Sequence, residues 1–154
     1  MRLKDRVVIV TGGASGIGKS ISIKAANEGA RVVVADIRET PLEGGQNTVD
    51  AIRMAGGIST YMNTDVTNDT DVKKLISNTV KKYGFLDVII NNAAAHGRAA
   101  LLETTEDEWD RVMAVGAKGM FFGCKYAIEQ MLKQNPRQGS EARGRRVHIA
   151  WQHL

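Results

Sequence analysis

The chain has 154 residues, 43% of them hydrophobic and 25% charged, and a formal charge of +4, a size and composition expected to fold as one unit spanning 1–154 and to bury roughly two-thirds of its unfolded surface. No apolar stretch approaches the roughly 18 residues of a membrane span, and Val7–Val10, the run after basic Arg2, Lys4 and Arg6, is shorter than the about 7–15 residues of a secretory h-region; a cytoplasmic protein without a membrane partner is expected. The positive charge is local, with Lys133, Arg137, Arg143, Arg145 and Arg146 against Glu141 alone, and with no aromatic side chains interleaved for base stacking this stretch reads as a solvated loop, not a nucleic-acid surface.

In chain order, a β-branched run at Val7–Val10 leads into Thr11-Gly12-Gly13-Ala14-Ser15-Gly16-Ile17-Gly18, and a helix is expected over Ile17–Glu28. That order suits a dinucleotide pyrophosphate. The strand delivers the backbone to the sheet edge, the glycines remove Cβ clashes, and the helix N-terminus offers free N–H groups and a positive dipole end. A second strand, Arg31–Asp36, ends in an acid eighteen residues past Gly18. A carboxylate about 20 residues beyond such a turn accepts hydrogen bonds from the adenosine ribose hydroxyls. Its charge repels a 2′-phosphate, which favours NAD over NADP, while Arg38 offsets part of that repulsion.

The pattern continues with a helix over Pro41–Met54, opened by a Thr40-Pro41-Leu42-Glu43 capping box with proline at the first helical position. A strand at Ile58–Asn63 follows, then a helix at Asp69–Lys82 capped by Asn68 or Thr67, a strand at Leu86–Asn91, a helix at Glu106–Lys133 with a Thr105/Glu108 box, and a strand at Arg146–Ala150. Gly29, Gly56 and Gly84 stand just past helix ends, where a left-handed residue terminates the helix. Alternating strands and helices with short connections predict an α/β, doubly wound parallel sheet of the Rossmann-like kind, with right-handed crossovers.

The Glu106–Lys133 stretch is apolar nearly all round, through Val112, Met113, Val115, Met120, Phe121, Phe122, Tyr126, Ile128, Met131 and Leu132. Such a helix is buried on more than one side. Gly116, Gly119 and Gly123 share roughly one face and demand close approach of a neighbour, which is either the chain's own core or a second copy in a homo-oligomer. Cys124, the only cysteine, excludes an intrachain disulfide and a cysteine zinc site and reads as a small core residue. His96, His148 and His153 are not spaced as ligands, so no metal is expected.

Together these residues resemble the short-chain dehydrogenase/reductase family. Thr11-Gly12-x-x-x-Gly16-Ile17-Gly18 matches its cofactor motif, in which Ser15 occupies a variable position. Asp36 matches its ribose-binding acid, and Asp65-Val66 its adenine-contacting pair. Asn91-Asn92-Ala93 matches its motif after the fourth strand, with Ala94 in place of the usual glycine. The resemblance implies that Thr11, Gly12, Ser15, Gly16, Ile17, Gly18, Asp36, Asp65, Val66, Asn92 and Ala93 bind a nicotinamide dinucleotide. It covers the N-terminal, cofactor-binding portion of the family's domain.

The family moves a hydride reversibly between nicotinamide and an alcohol or ketone carbon. A tyrosine serves as acid and base, a lysine four residues later lowers its pKa, a serine polarises the carbonyl and an asparagine supports the proton relay. Tyrosine, with an ordinary pKa near 10, needs that cation to act as a base at neutral pH. In this chain Gly116 aligns with the asparagine and Trp151 with the serine, and no Tyr-x-x-x-Lys precedes Leu154. No catalytic residue is assigned; His96 is read as a loop histidine without a role. The sheet is expected to be truncated after the fifth strand, and the isolated chain to be marginally stable. Three readings follow: an oxidoreductase whose catalytic residues belong to a longer product, a catalytically dead NAD-binding module or truncated paralogue, and a Rossmann-like domain without a ligand site.

Overall fold

The structure, a computed structural model, describes residues 1–97, 99–137 and 144–148, the stretch Arg145–His148 as backbone only. Strand β1 (Val7–Thr11) is followed by helix α1 (Gly16–Asn27), β2 (Arg31–Asp36), α2 (Thr48–Met54), β3 (Ile58–Asn63), α3 (Asp69–Tyr83) and β4 (Val88–Asn91). A 3₁₀ turn at Leu101–Glu103 precedes α4 (Glu106–Met113), a π segment at Ala114–Lys118, α5 (Gly119–Lys133) and β5 (Arg145–His148). The strands form one parallel sheet in the order β3-β2-β1-β4-β5.

Side-chain alternation along the strands explains the two layers of helices. Ile9, Val33 and Ala35 pack on one face with Val72, Leu75 and Ile76 of α3 and Tyr126, Ala127 and Met131 of α5. Val8, Val10, Val32 and Val34 pack on the other with Ala25 and Ala26 of α1 and Val49 and Ile52 of α2. Because β1 lies between β2 and β4, the chain runs outward one way through β2 and β3, then returns past β1 to build β4. The strand order therefore reverses at β1/β4, and the crevice beyond their carboxyl ends is where ligands bind in such sheets.

Local signals explain most boundaries. Asn68 caps α3 by accepting hydrogen bonds from the Thr70 and Asp71 N–H groups, and Thr105 caps α4 by accepting from Glu108 N–H at 3.2 Å. Gly84 ends α3 in the left-handed region, at φ 81°.

Four expected element bounds are corrected. The helix expected at Pro41–Met54 is confined to Thr48–Met54, and the Thr40 capping box does not form. Gly44 and Gly45 are the cause: each weakens a helix by about 1 kcal/mol, and both adopt left-handed φ, 77° and 81°. The helix expected at Glu106–Lys133 is interrupted by the π segment at 114–118, a widened turn that contains Gly116. The fourth strand begins at Val88, not Leu86: the Leu86 N–H and C=O bond the Gln134 amide at 3.2 and 2.8 Å, while Asp87 N–H bonds the Val7 carbonyl at 3.0 Å. The fifth strand starts at Arg145; Ile149 and Ala150, expected to extend it, and Trp151 lie outside the described residues.

Candidate functional site

The β1/β4 crevice is closed by side chain to backbone hydrogen bonds. Thr11 Oγ1, buried at the end of β1, accepts from the N–H groups of Asn92 and Ala93, both at 3.0 Å, and faces the Ile90 carbonyl at 3.4 Å. Asn92 Nδ2 donates back to the carbonyls of Thr11 at 2.9 Å and Gly12 at 3.2 Å. The loops after β1 and β4 are thus one reciprocally bonded unit. Gly12 and Gly18 permit it: a Cβ on Gly12 would stand 2.9 Å from Ala93 Cα, and one on Gly18 would overlap the Gly12 carbonyl. Thr11, Gly12, Gly18, Asn92 and Ala93, expected as cofactor contacts, are brought together here and form the brace beneath the turn.

Asp36 joins the turn from β2. Its Oδ2 accepts from Ala14 N–H at 3.1 Å, and its Oδ1 lies 3.4 Å from Arg38 N–H, leaving the part-exposed carboxylate able to accept further donors. Asp65 and Val66 follow β3 and are not bonded to the turn. Asp65 Oδ1 accepts from Thr67 N–H at 2.9 Å and Thr67 Oγ1 at 2.7 Å, which shapes an Asx turn. Val66 is buried under α5, where a Cβ on Gly119 would meet its Cγ2 at 2.8 Å. Gly123, one turn on, sits against Asn91 of β4. The close approach demanded by Gly119 and Gly123 is therefore met inside the chain.

The turn is suited to an anion. Ser15, at the N-cap of α1, makes no side-chain capping bond; its Oγ instead accepts from Leu42 N–H at 2.8 Å. The amides of Ile17 and Gly18 lie in the first helical turn, where N–H groups have no partner within the helix, and the dipole end is positive. Gly16, at φ 51°, has open space where a Cβ would project. Glu43 Oε1 takes the Gly16 amide at 3.0 Å, and the Ile17 and Gly18 amides beside it, next to a glycine turn with a ribose acid nearby, fit a dinucleotide phosphate bridge.

Several ordering residues went unread in the sequence. Thr48 Oγ1, buried, bonds the Gly13 and Ala14 carbonyls at 3.0 and 3.1 Å and supports the turn from α2. Asp87, at the opposite end of β4, accepts from Val7 N–H, Arg6 and Arg137. Burial alone would push its carboxyl up, but these donors outweigh burial and hold it below the ordinary range. Arg137 is accordingly not part of a solvated basic loop. The available signal was an acid inside the apolar run Phe85–Ile90.

The transfer half looks different. Gly116 lies in the π segment. His96 is exposed, and its carbonyl accepts from Arg111 at 2.9 Å. Tyr126 donates its hydroxyl to Asp69, which raises its pKa above the ordinary value, the opposite of what a tyrosine base requires.

The profile of the short chain dehydrogenase family matches residues 6–141. This chain belongs to that family, a family of oxidoreductases that work with a nicotinamide dinucleotide. An uncharacterized oxidoreductase of Thermotoga maritima is 40% identical over 134 residues, covering 87% of this chain and 51% of that protein. A 3-oxoacyl-[acyl-carrier-protein] reductase of the same organism is 36% identical over 140 residues, covering 91% and 55%. A crystal structure of a short chain dehydrogenase from Mycobacterium avium superposes with a TM-score of 0.83 at 35% identity, covering 96% of this chain and 53% of that one. The chain spans about half the length of the relatives it matches.

Proposed function

We propose that residues 1–154 act as one unit, the cofactor-binding part of an oxidoreductase that transfers hydride between a nicotinamide dinucleotide and an alcohol or ketone carbon, and that NAD is preferred to NADP. The observation that carries this reading is the turn at Thr11–Gly18, bonded to Asn92 and Ala93 on one side and to Asp36 on the other. When bound, the dinucleotide supplies or accepts the hydride. The amides of Ile17 and Gly18 receive its phosphates, Asp36 accepts the ribose hydroxyls, Ser15 and Gly16 shape the rim, and Asp65 and Val66 border the adenine. Thr11, Gly12, Asn92 and Ala93 hold the turn to β4. The family's chemistry is cytoplasmic in this reading, with no membrane or nucleic-acid partner; no helix among the described residues is long and apolar enough to cross a membrane.

Within the 154 residues, position +4 from Tyr61, Tyr83 and Tyr126 is Asp65, Asp87 and Gln130. None is a lysine, so this polypeptide by itself is proposed to bind cofactor without turnover. Removal of a general acid/base alone costs roughly 10²–10⁴-fold in rate. The Asp69-held phenol of Tyr126 favours the second reading, a cofactor-binding module, for these 154 residues acting alone. A homo-oligomer through α4 and α5 is proposed on the apolar side chains they leave exposed, Trp109, Met113, Met120, Phe121 and Leu132.

Titration of NADH fluorescence and assay of ketone reduction on the same preparation test the proposal. Saturable binding without turnover is expected. Absence of NADH binding to the folded chain overturns the cofactor reading, and carbonyl reduction overturns the separation of binding from transfer.

A further inference from the structure

Segment 38–47, between β2 and α2, folds back on the glycine turn at three points. Leu42 N–H donates to Ser15 Oγ at 2.8 Å, Gly16 N–H donates to Glu43 Oε1 at 3.0 Å, and Lys19 Nζ donates to the Gln46 carbonyl at 2.7 Å. The turn glycines Gly44 and Gly45, both left-handed, reverse the chain just after Glu43. A carboxylate of the chain itself therefore sits on the first amide of α1. Asp36 is anchored to Ala14 N–H, two residues earlier in the same turn. The ribose end of the site thus carries two carboxylates, while its amide at Gly16 and its ammonium at Lys19 are already engaged.

We propose that Glu43 is a second specificity-determining residue, which acts with Asp36 to reject dinucleotides that carry a phosphate on the adenosine ribose. The inference rests on the cofactor reading above and adds to it a residue outside the glycine turn and the β2 acid. A ribose phosphate brings about −1.5 to −2 charge and needs several hydrogen-bond donors. Glu43 takes the Gly16 amide that would serve it, at 3.0 Å, so a phosphate brought to that amide would meet the Glu43 charge within the roughly 8 Å screening length. The Gly16 hydrogen bond, then that of Glu43's own backbone amide, with the charge of Lys19 a lesser cause, holds the Glu43 carboxyl below its ordinary range, so it is ionised at neutral pH. An unphosphorylated ribose makes no such demand and is tolerated.

The test is the Kd of NADH and of NADPH, read by fluorescence for the unaltered chain, Glu43→Ala and Glu43→Gln, with far-UV circular dichroism to verify folding. Glu43 is exposed at the surface, and the glutamine variant keeps an acceptor for Gly16 while removing the charge. The ratio of Kd for NADPH to Kd for NADH is expected to fall about tenfold in Glu43→Ala and about threefold in Glu43→Gln, with NADH affinity within about twofold of the original. An unchanged ratio overturns the role of Glu43. Equal tightening of both dinucleotides also overturns it, because Glu43 would then be a general competitor for the turn. No NADH binding to the unaltered chain removes the underlying cofactor reading instead.

Discussion

Arg137 grips Asp87 with two parallel hydrogen bonds, Nε to Oδ1 at 2.7 Å and Nη2 to Oδ2 at 2.8 Å, while its guanidinium lies 4.4 Å from the centre of the Phe85 ring. Asp87 is 8% exposed and also receives Arg6 at 3.0 Å and Val7 N–H at 2.8 Å. One carboxylate ties the start of β1, the entry to β4 and the segment after α5. Asp87→Ala leaves two guanidinium groups and an amide without their acceptor and is expected to lower the unfolding free energy by about 3–5 kcal/mol. Arg137→Lys, which loses the planar fork but keeps the charge, is expected to cost less. Urea unfolding of the three proteins measures both.

The same carboxylate sets a pH dependence. Its folded pKa is depressed below the ordinary 3.8, so the unfolded state binds its proton more readily. The stability it contributes is complete above 3.8 and is lost as pH falls through the lower folded value. Acid unfolding followed by circular dichroism should steepen below that point, and Asp87→Asn should remove this component of the slope.

Thr11 Oγ1 serves two amides of the loop after β4. Thr11→Val keeps the shape of the side chain but leaves both N–H groups facing a methyl, at a cost of about 1–3 kcal/mol each where water cannot reach them. Reduced stability and weaker NADH binding are expected together. Thr11→Ser, which retains the acceptor, should restore both. Chemical denaturation and fluorescence titration of the two variants decide it.

On an exposed helix, replacing glycine by alanine stabilises by about 1 kcal/mol. Gly123 should behave oppositely. A methyl there would overlap the Asn91 side chain, which is buried at the end of β4. Gly123→Ala is expected to destabilise by about 1–3 kcal/mol through overpacking. A melting temperature equal to or above the original would contradict the intrachain packing of α5.

Phe121 is 58% exposed on α5, with Trp109, Met113, Met120 and Leu132 also uncovered along α4 and α5. These exposed apolar side chains are the ground for the proposed assembly through α4 and α5. Phe121→Glu is expected to shift the chain toward monomer in sedimentation velocity while leaving NADH affinity unaltered. A monomer before substitution would refute assembly through this face.

Residues close in sequence made much of this protein readable without coordinates. The β-branched run before Gly12, the acid after Val32–Ala35 and the glycines past helix ends each act through local backbone conformation or through a spacing set by one strand–helix–strand unit. Local chemistry also misled. Thr40-Pro41-Leu42-Glu43 has the composition of a helix start, yet Glu43 finds the Gly16 amide, which is 27 residues away, and the two following glycines resist helix.

What only the tertiary structure decided are the long-range bonds: Thr11 with Asn92 and Ala93, Asp87 with Arg137, Thr48 with the turn carbonyls, and Gly119 and Gly123 against Val66 and Asn91. Parallel strands place residues from distant segments side by side, and a buried polar group bonds whichever partner the sheet delivers. Amino-acid order alone determined the alternating elements and the glycine turn, because periodicity and backbone freedom belong to the local chain. Partnership across the sheet depends on how those elements pack, and packing is settled only when the whole fold closes.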